Sequence, residues 1–274
     1  MKNAIKDHSI LYIINTFLFN DRLKYYEKYL NYAKKNDYQI CSMLDFWKNR
    51  NNNEVKHFIL RHDVDYISQS THIIYELEKR LGVKSTYYFR LCTMDLDLIH
   101  DMIENGFEVG FHYETIAEYI KETNDISLEK TNFINLRARL KSEIAYFNSL
   151  IGNDYKVSSC ASHGAPENIA SGYSNNYLLE NQDPAEFGIL FEAYDKLLYE
   201  KYINCHIMDT NPRINYGFAY SANPIEAINH GYRNIIFLAH PNHWYFSIKQ
   251  RLYNLVAIVF GKIKLSTNRK FKRI

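Results

Sequence analysis

The chain has 274 residues, enough for one large α/β domain or two small ones. Hydrophobic residues make up 46%, which supports a sizeable core, and a formal net charge of +2 gives no global pull toward nucleic acid. The four cysteines, Cys41, Cys92, Cys160 and Cys205, are far apart with no C-x-x-C pair, which argues against a disulfide framework and a structural zinc knuckle.

Residues 10–14 read as a first strand, too short for a leader's apolar core and followed by no small-residue cleavage site. No apolar run reaches the length of a membrane span, so the expected compartment is the cytoplasm. Residues 20–36 carry Leu23, Tyr26, Leu30 and Ala33 at helical spacing. The apolar run Phe58, Ile59 and Leu60 then breaks into Arg61, His62, Asp63, Val64 and Asp65, as a buried strand does when it delivers polar groups to a cleft.

A helix over 68–82 stops at Gly82, a strand follows over 83–89, a helix over 95–106 and a strand over 107–112. A long amphipathic stretch covers 127–150, and 155–160 reads as a strand before the turn-rich 162–172. The segment 173–202 has no clear period. Strands over 203–209 and 234–240 flank a short helix at 223–231, and 244–260 reads as an apolar helix. Strands alternating with helices on short connections imply a mostly parallel sheet, open or closed into a barrel, in one domain spanning 1–274.

The polar residues with chemical potential fall just after strands: Asp63, Asp65, His112, His163, Asp209 and His240. Strand C-terminal ends are where parallel sheets and barrels carry their sites. Asp63 and Asp65 point the same way along an extended chain, roughly 6.6 Å apart at Cα. Such a D-x-D is a capped turn, a metal–diphosphate clamp of a nucleotide-sugar glycosyltransferase, or a hydrolase pair of one base and one metal ligand. Two carboxylates this close cannot both be charged in a dry site without a cation. His112 and His163 are candidate ligands because neutral imidazole is a common partner of a carboxylate on zinc. Each also reads as an ordinary structural histidine. His240 is a candidate proton donor, and Trp244 beside His243 is either a sugar-facing platform or part of the core.

The order RHDVD, GVKSTYYF, GFEVGFH and HPNHW resembles the polysaccharide deacetylases, the NodB-homology family of carbohydrate esterase family 4, and within it the divergent WbmS-like branch found with surface-polysaccharide genes. The resemblance covers about residues 57–244. It implies a distorted (β/α) barrel and a metal-dependent carbohydrate deacetylase, with Zn2+ as the expected cofactor and a surface-polysaccharide precursor as substrate. By that match Asp63 is the catalytic base, Asp65 and His112 are metal ligands, and His240 is the catalytic acid. The family's second histidine, four residues after the first, is Ile116 here, so His163 is the expected third ligand, with Glu114 in reserve. The family's Arg-Pro-Pro-Tyr segment that braces the base has no counterpart, and Arg61, on the same side as Asp63, is the candidate substitute. Tyr113, His243 and Trp244 are the expected substrate-facing side chains.

Two other functions stay open: a catalytically silent carbohydrate-binding barrel, and a D-x-D glycosyltransferase, which would need a nucleotide-binding half before residue 63. The tail carries Lys262, Lys264, Arg269, Lys270, Lys272 and Arg273 without one acid. It reads as solvated, with contact to anionic lipid at the inner membrane face as the alternative, at about 1 kcal/mol per basic residue near the surface.

Overall fold

The computed structural model describes residues 22–67, 69–152, 154–209, 218–220 and 223–245. In chain order the elements begin with α1 (Arg22–Lys35), β1 (Tyr38–Cys41), α2 (Met43–Asn49), β2 (Lys56–Val64), α3 (Gln69–Leu81) and β3 (Thr86–Phe89). Next come α4 (Leu96–Glu104), β4 (Glu108–Tyr113), α5 (Thr115–Thr123), α6 (Lys130–Ile151), β5 (Ser159–Ser162) and α7 (Pro166–Ser171). The last are β6 (Phe191–Glu192), α8 (Lys196–Tyr202), β7 (Cys205–Asp209), β8 (Phe218–Ala219), α9 (Pro224–Asn229) and β9 (Asn234–Ala239).

All nine strands join one sheet in the order β6-β5-β4-β3-β2-β9-β7-β8, with β1 pairing β2 off this path. Every ladder is parallel except β7–β8. One edge of β2 is shared: its first half pairs β1 from Lys56 to Ile59, and its second half pairs β3 from Arg61 to Val64. The other edge pairs β9 from His57 to His62. Strand β2 is therefore buried from His57 to Val64, apolar at Phe58–Leu60 and polar from Arg61 to Asp63.

The sheet is curled. Arg61 on β2 brings Nη1 to 3.4 Å from the Ala193 carbonyl, just past β6 and four strands away. In a flat sheet four strand spacings measure about 19 Å, far beyond the reach of a side chain. Inside the curl lie Ile59, Tyr88, Ala161, Phe191 and Ile236, one from each of five strands. Their sequence neighbours Phe58, Leu60, Tyr87, Phe89, Ile235 and Phe237 face outward into the main core beneath the helices. The expected barrel-like α/β architecture is therefore present, left open because no ladder joins β6 to β8 among the described residues.

Several elements depart from the sequence reading. Strand β1 and helices α2 and α5 have no counterpart there; α5 buries Ile116, Ala117 and Ile120 on one face, and α2 is capped where Ser42 Oγ accepts from Asp45 N at 3.0 Å. The strand expected over 155–160 forms only from Ser159, because Tyr155 is spent on a side-chain bridge to both backbone groups of Val109. The unreadable 173–202 holds two short 3-10 turns, β6 and α8. The strand expected at 10–14, most of the helix at 244–260 and the basic tail lie outside the described residues. Among the described residues no helix is long and apolar enough to cross a membrane.

Gly110 on β4 is where the curled sheet packs most tightly: an added Cβ would collide with the Tyr88 ring and lie 2.9 Å from the Ser159 carbonyl. Tyr88 cannot retreat, since it is fully buried and its hydroxyl is bonded to Ser159 Oγ at 2.8 Å. Gly110→Ala is expected to destabilise the fold by about 1–3 kcal/mol, read as a lower urea midpoint at unchanged slope.

Candidate active site

Register alone levels the candidate residues on one rim. Asp63 pairs Tyr88 and Tyr88 pairs Gly110, so the residue two beyond Gly110, His112, stands level with Asp65. His112 pairs Ala161, which sets His163 one step further along the same face. On the other side His62 pairs Ala239, so His240 follows directly beside Asp63. Because side chains alternate along each strand, Arg61, Asp63, Asp65, His112 and His163 all fall on the inner face.

Asp63 is fixed by its own strand. Arg61 Nε and Nη2 reach its two carboxylate oxygens at 2.8 and 2.9 Å, a two-pronged pair with both side chains buried. The guanidinium is sandwiched between Tyr194, at 4.1 Å from the ring centroid, and Tyr88, at 5.1 Å. Burial pushes the Asp63 carboxyl up, but the Arg61 charge, then His112, outweighs burial and holds it below the usual carboxylate range.

Asp65 has no such brace. Asp65, His112 and His163 each present a ligand atom, and these lie within 4.8 Å of one another. His112 Nε2 is 3.3 Å from Asp65 Oδ1, and His163 Nε2 is 3.6 Å from the same oxygen. His112 Nδ1 sits 3.0 Å from the Ala161 carbonyl, which can only accept, so this nitrogen carries the proton and Nε2 turns its lone pair inward. His163 Nδ1 faces Glu114 Oε2 at 3.0 Å, an ion-pair contact. Asp65 Oδ1 is buried without a hydrogen-bond partner. A cation between these three facing atoms would satisfy all of them, and one carboxylate with two imidazoles is a donor set that suits zinc and other divalent metals. The residues fit a metal.

Opposite stands His240. Its Nδ1 is 2.6 Å from Asp209 Oδ1, its backbone N–H donates to Asp209 Oδ2 at 2.9 Å, and its Nε2 faces Asp65 Oδ2 at 3.8 Å. Burial pulls the imidazolium pKa down, but Asp209, then Asp65 and Asp63, outweigh it and hold it up at about 9. Asp209 also accepts from Trp244 Nε1 at 2.7 Å and sits 3.1 Å from His243 Nδ1. One rim thus brings together three inward-facing potential ligand atoms, a carboxylate held anionic by Arg61 and an imidazole held protonated by Asp209.

No family model and no curated protein matches the chain. Solved structures do. Among them are family 4 carbohydrate esterases and a CE4 family pseudoenzyme. The chain is similar to a family 4 carbohydrate esterase from Bacillus anthracis at 13% identity and TM-score 0.39, over 87% of this chain and 86% of that one. It is similar to the Streptomyces lividans esterase solved with acetate at 14% identity and TM-score 0.39, over 68% of this chain and 79% of that one. A CE4 family pseudoenzyme from Bacillus anthracis matches at 15% identity and TM-score 0.39, over 68% of this chain and 55% of that one. The chain spans 55 to 64% of the length of the pseudoenzyme chains that it matches.

Three expected substrate contacts are corrected. Trp244 is no open platform: it is 2% exposed, packed against Tyr26, Tyr29, Phe218 and Phe237, with its N–H on Asp209. His243 is buried on the same carboxylate. Tyr113 points away from the rim into the main core, because odd and even residues of β4 face opposite sides and His112 takes the inner one. His62, between two inner-face residues, likewise turns outward to Glu78 at 2.7 Å and the Ala239 carbonyl.

Other contributors escaped the sequence reading. Asp209 was visible only as an acid at a strand end, with nothing to show that it holds His240. Asn175, in the unreadable stretch, is fully buried; it donates to the His163 carbonyl at 2.6 Å and accepts from Ile116 N at 2.8 Å. Ile116 itself is buried in the core, so no ligand arises there.

Removing one member of a buried ion pair strands the other. Arg61→Met is expected to cost about 3–5 kcal/mol in denaturant unfolding, while the double change Arg61→Met with Asp63→Leu loses less than the single one.

Proposed function

We propose that the chain is a metal-dependent hydrolase that removes an acetyl group from an N-acetylated, or O-acetylated, sugar of a surface-polysaccharide precursor. The observation that carries this reading is the convergence of Asp65, His112 and His163 within 4.8 Å, between a braced Asp63 and His240. One sheet running from Tyr38 to Ala239 supports treating the chain as a single domain.

Asp65, His112 and His163 would hold the ion, most simply zinc, which when bound supplies Lewis acidity and makes water nucleophilic at neutral pH. Asp63, kept anionic by Arg61, takes the proton from the attacking water. His240, kept protonated by Asp209, gives its proton to the leaving nitrogen or oxygen, which would otherwise depart as a poor anion. Arg61 and Asp209 hold base and acid in opposite protonation states at neutral pH, the division of labour that hydrolysis of an amide or ester requires.

The two rival readings lose support on specific side chains. A diphosphate clamp needs both acids of the D-x-D, and Asp63 has both its oxygens on Arg61. A silent glycan-binding barrel would bind through Tyr and Trp side chains, and the candidates Trp244 and Tyr113 are both buried.

Two measurements test the proposal. Purified protein is expected to carry about one zinc per chain by elemental analysis, and Asp65→Ala, His112→Ala and His163→Ala to lose it together with acetate release from N-acetylhexosamine substrates. Metal content unchanged by all three would remove the basis of the reading. The second test is pH. Activity needs His240 protonated, so it falls as pH rises through the pKa of about 9. Asp209→Asn removes the charge that holds this value up, so the alkaline limb of kcat is expected to move to lower pH, toward the ordinary histidine value near 6.5.

A further inference from the structure

His163 is tethered differently from His112. His112 sits within a strand and sets its ring against a main-chain carbonyl of the neighbouring strand. His163 lies one residue past β5, in a loop, and sets its ring against a carboxylate. A ligand on a loop has more freedom to lose on binding an ion, so what restrains it bears directly on affinity.

The His163 main chain is held by its N–H on the Tyr113 carbonyl at 2.8 Å and by Asn175 on its carbonyl, and its ring is restrained by a closed chain of charges. Glu114 Oε2 is 3.0 Å from His163 Nδ1 and 2.6 Å from Arg90 Nε, and Glu114 Oε1 is 3.4 Å from Lys121 Nζ. With two cations against it in a buried position, this carboxylate is committed as an anion and has no oxygen left over to serve as a ligand itself. The same Arg90 turns Nη1 onto the Asp65 backbone carbonyl at 2.9 Å. One planar guanidinium therefore touches both arms of the site, the loop that carries Asp65 and the acid that faces His163. A lysine ammonium at that position, compact and without the fork, cannot span the two.

We infer that Glu114 and Arg90 set the affinity of the metal centre, Glu114 as the positioning residue of His163 and Arg90 as the clamp that locks His163 to Asp65. The inference rests on the reading of Asp65, His112 and His163 as ligands. An anionic carboxylate 3.0 Å from the far nitrogen favours the proton on that side of the ring and makes the near nitrogen a stronger donor, an effect worth roughly 10–100-fold in metal affinity. It also accounts for how a histidine on a loop takes the place that Ile116 leaves without a ligand.

The test is zinc affinity of the full chain, measured by competition with a chromophoric chelator, for wild type, Glu114→Gln, Arg90→Lys and His112→Ala. It is paired with the visible spectrum of the cobalt(II)-loaded proteins and the unfolding midpoint of the metal-free ones. Glu114→Gln and Arg90→Lys are expected to bind zinc roughly 10–100-fold more weakly and to show an altered cobalt spectrum, in metal-free proteins that stay folded at the assay temperature even where their midpoint falls below that of wild type. Affinity within twofold of wild type and an unchanged cobalt spectrum would overturn the inference while leaving the ligand assignment standing. A loss of affinity only in metal-free protein that is already unfolding at the assay temperature would overturn it too. Wild type that binds zinc no better than His112→Ala would instead overturn the ligand assignment, and this inference with it.

Discussion

Two carboxylates on the same face of one buried strand set the problem that the rest of the site solves. Asp63 and Asp65 cannot both be charged in a dry interior unless each finds a compensating positive group. Arg61, two residues earlier on the same face, serves Asp63 with both prongs of its guanidinium. That leaves Asp65 facing two imidazole nitrogens, with the His112 proton turned away to the Ala161 carbonyl. The asymmetry between two chemically identical side chains is thus decided by which of them the strand's own arginine can reach. In the proposed reading it separates base from ligand.

The curl of the sheet makes that separation possible. Arg61 is tolerated in the interior because the sheet bends round it, bringing Tyr88 from one neighbouring strand and Tyr194 from beyond β6 onto its two sides. The parallel ladders then level the strand ends, so that residues nearly 180 positions apart in sequence, Asp63 and His240, share one rim. Three ionisable groups on that rim have a dedicated charged partner behind them: Arg61 for Asp63, Asp209 for His240, Glu114 for His163. Side chains held from behind lose little freedom when they act, which is the condition for preorganised chemistry.

The aromatic residues follow a different logic from the one their chemistry invites. Trp244 lies beside the rim in sequence, yet its indole fills the space between α1 and β9 and uses its N–H to hold Asp209. A large ring with one polar edge is well suited to that position, apolar body inward and donor toward a buried acid. It contributes to the site by fixing the partner of His240 and presents no surface for a sugar.

Much was legible in the residues themselves. The abrupt change from Phe58–Leu60 to Arg61–Asp65 marks a buried strand ending at a cleft, and alternation alone puts Arg61, Asp63 and Asp65 on one side. The order of strands and helices implies a parallel sheet, and polar residues after strands mark its functional rim. These features are local, carried by period and by the type of residue at an element's end, so one chain suffices to read them. What only the tertiary structure decided is which distant groups meet: Asp209 with His240, Arg90 with both Glu114 and Asp65, Asn175 with the His163 loop, and Trp244 turned into the core. Strand register, sheet curl and loop path set those meetings, and each depends on the packing of the whole sheet and leaves no period in the sequence.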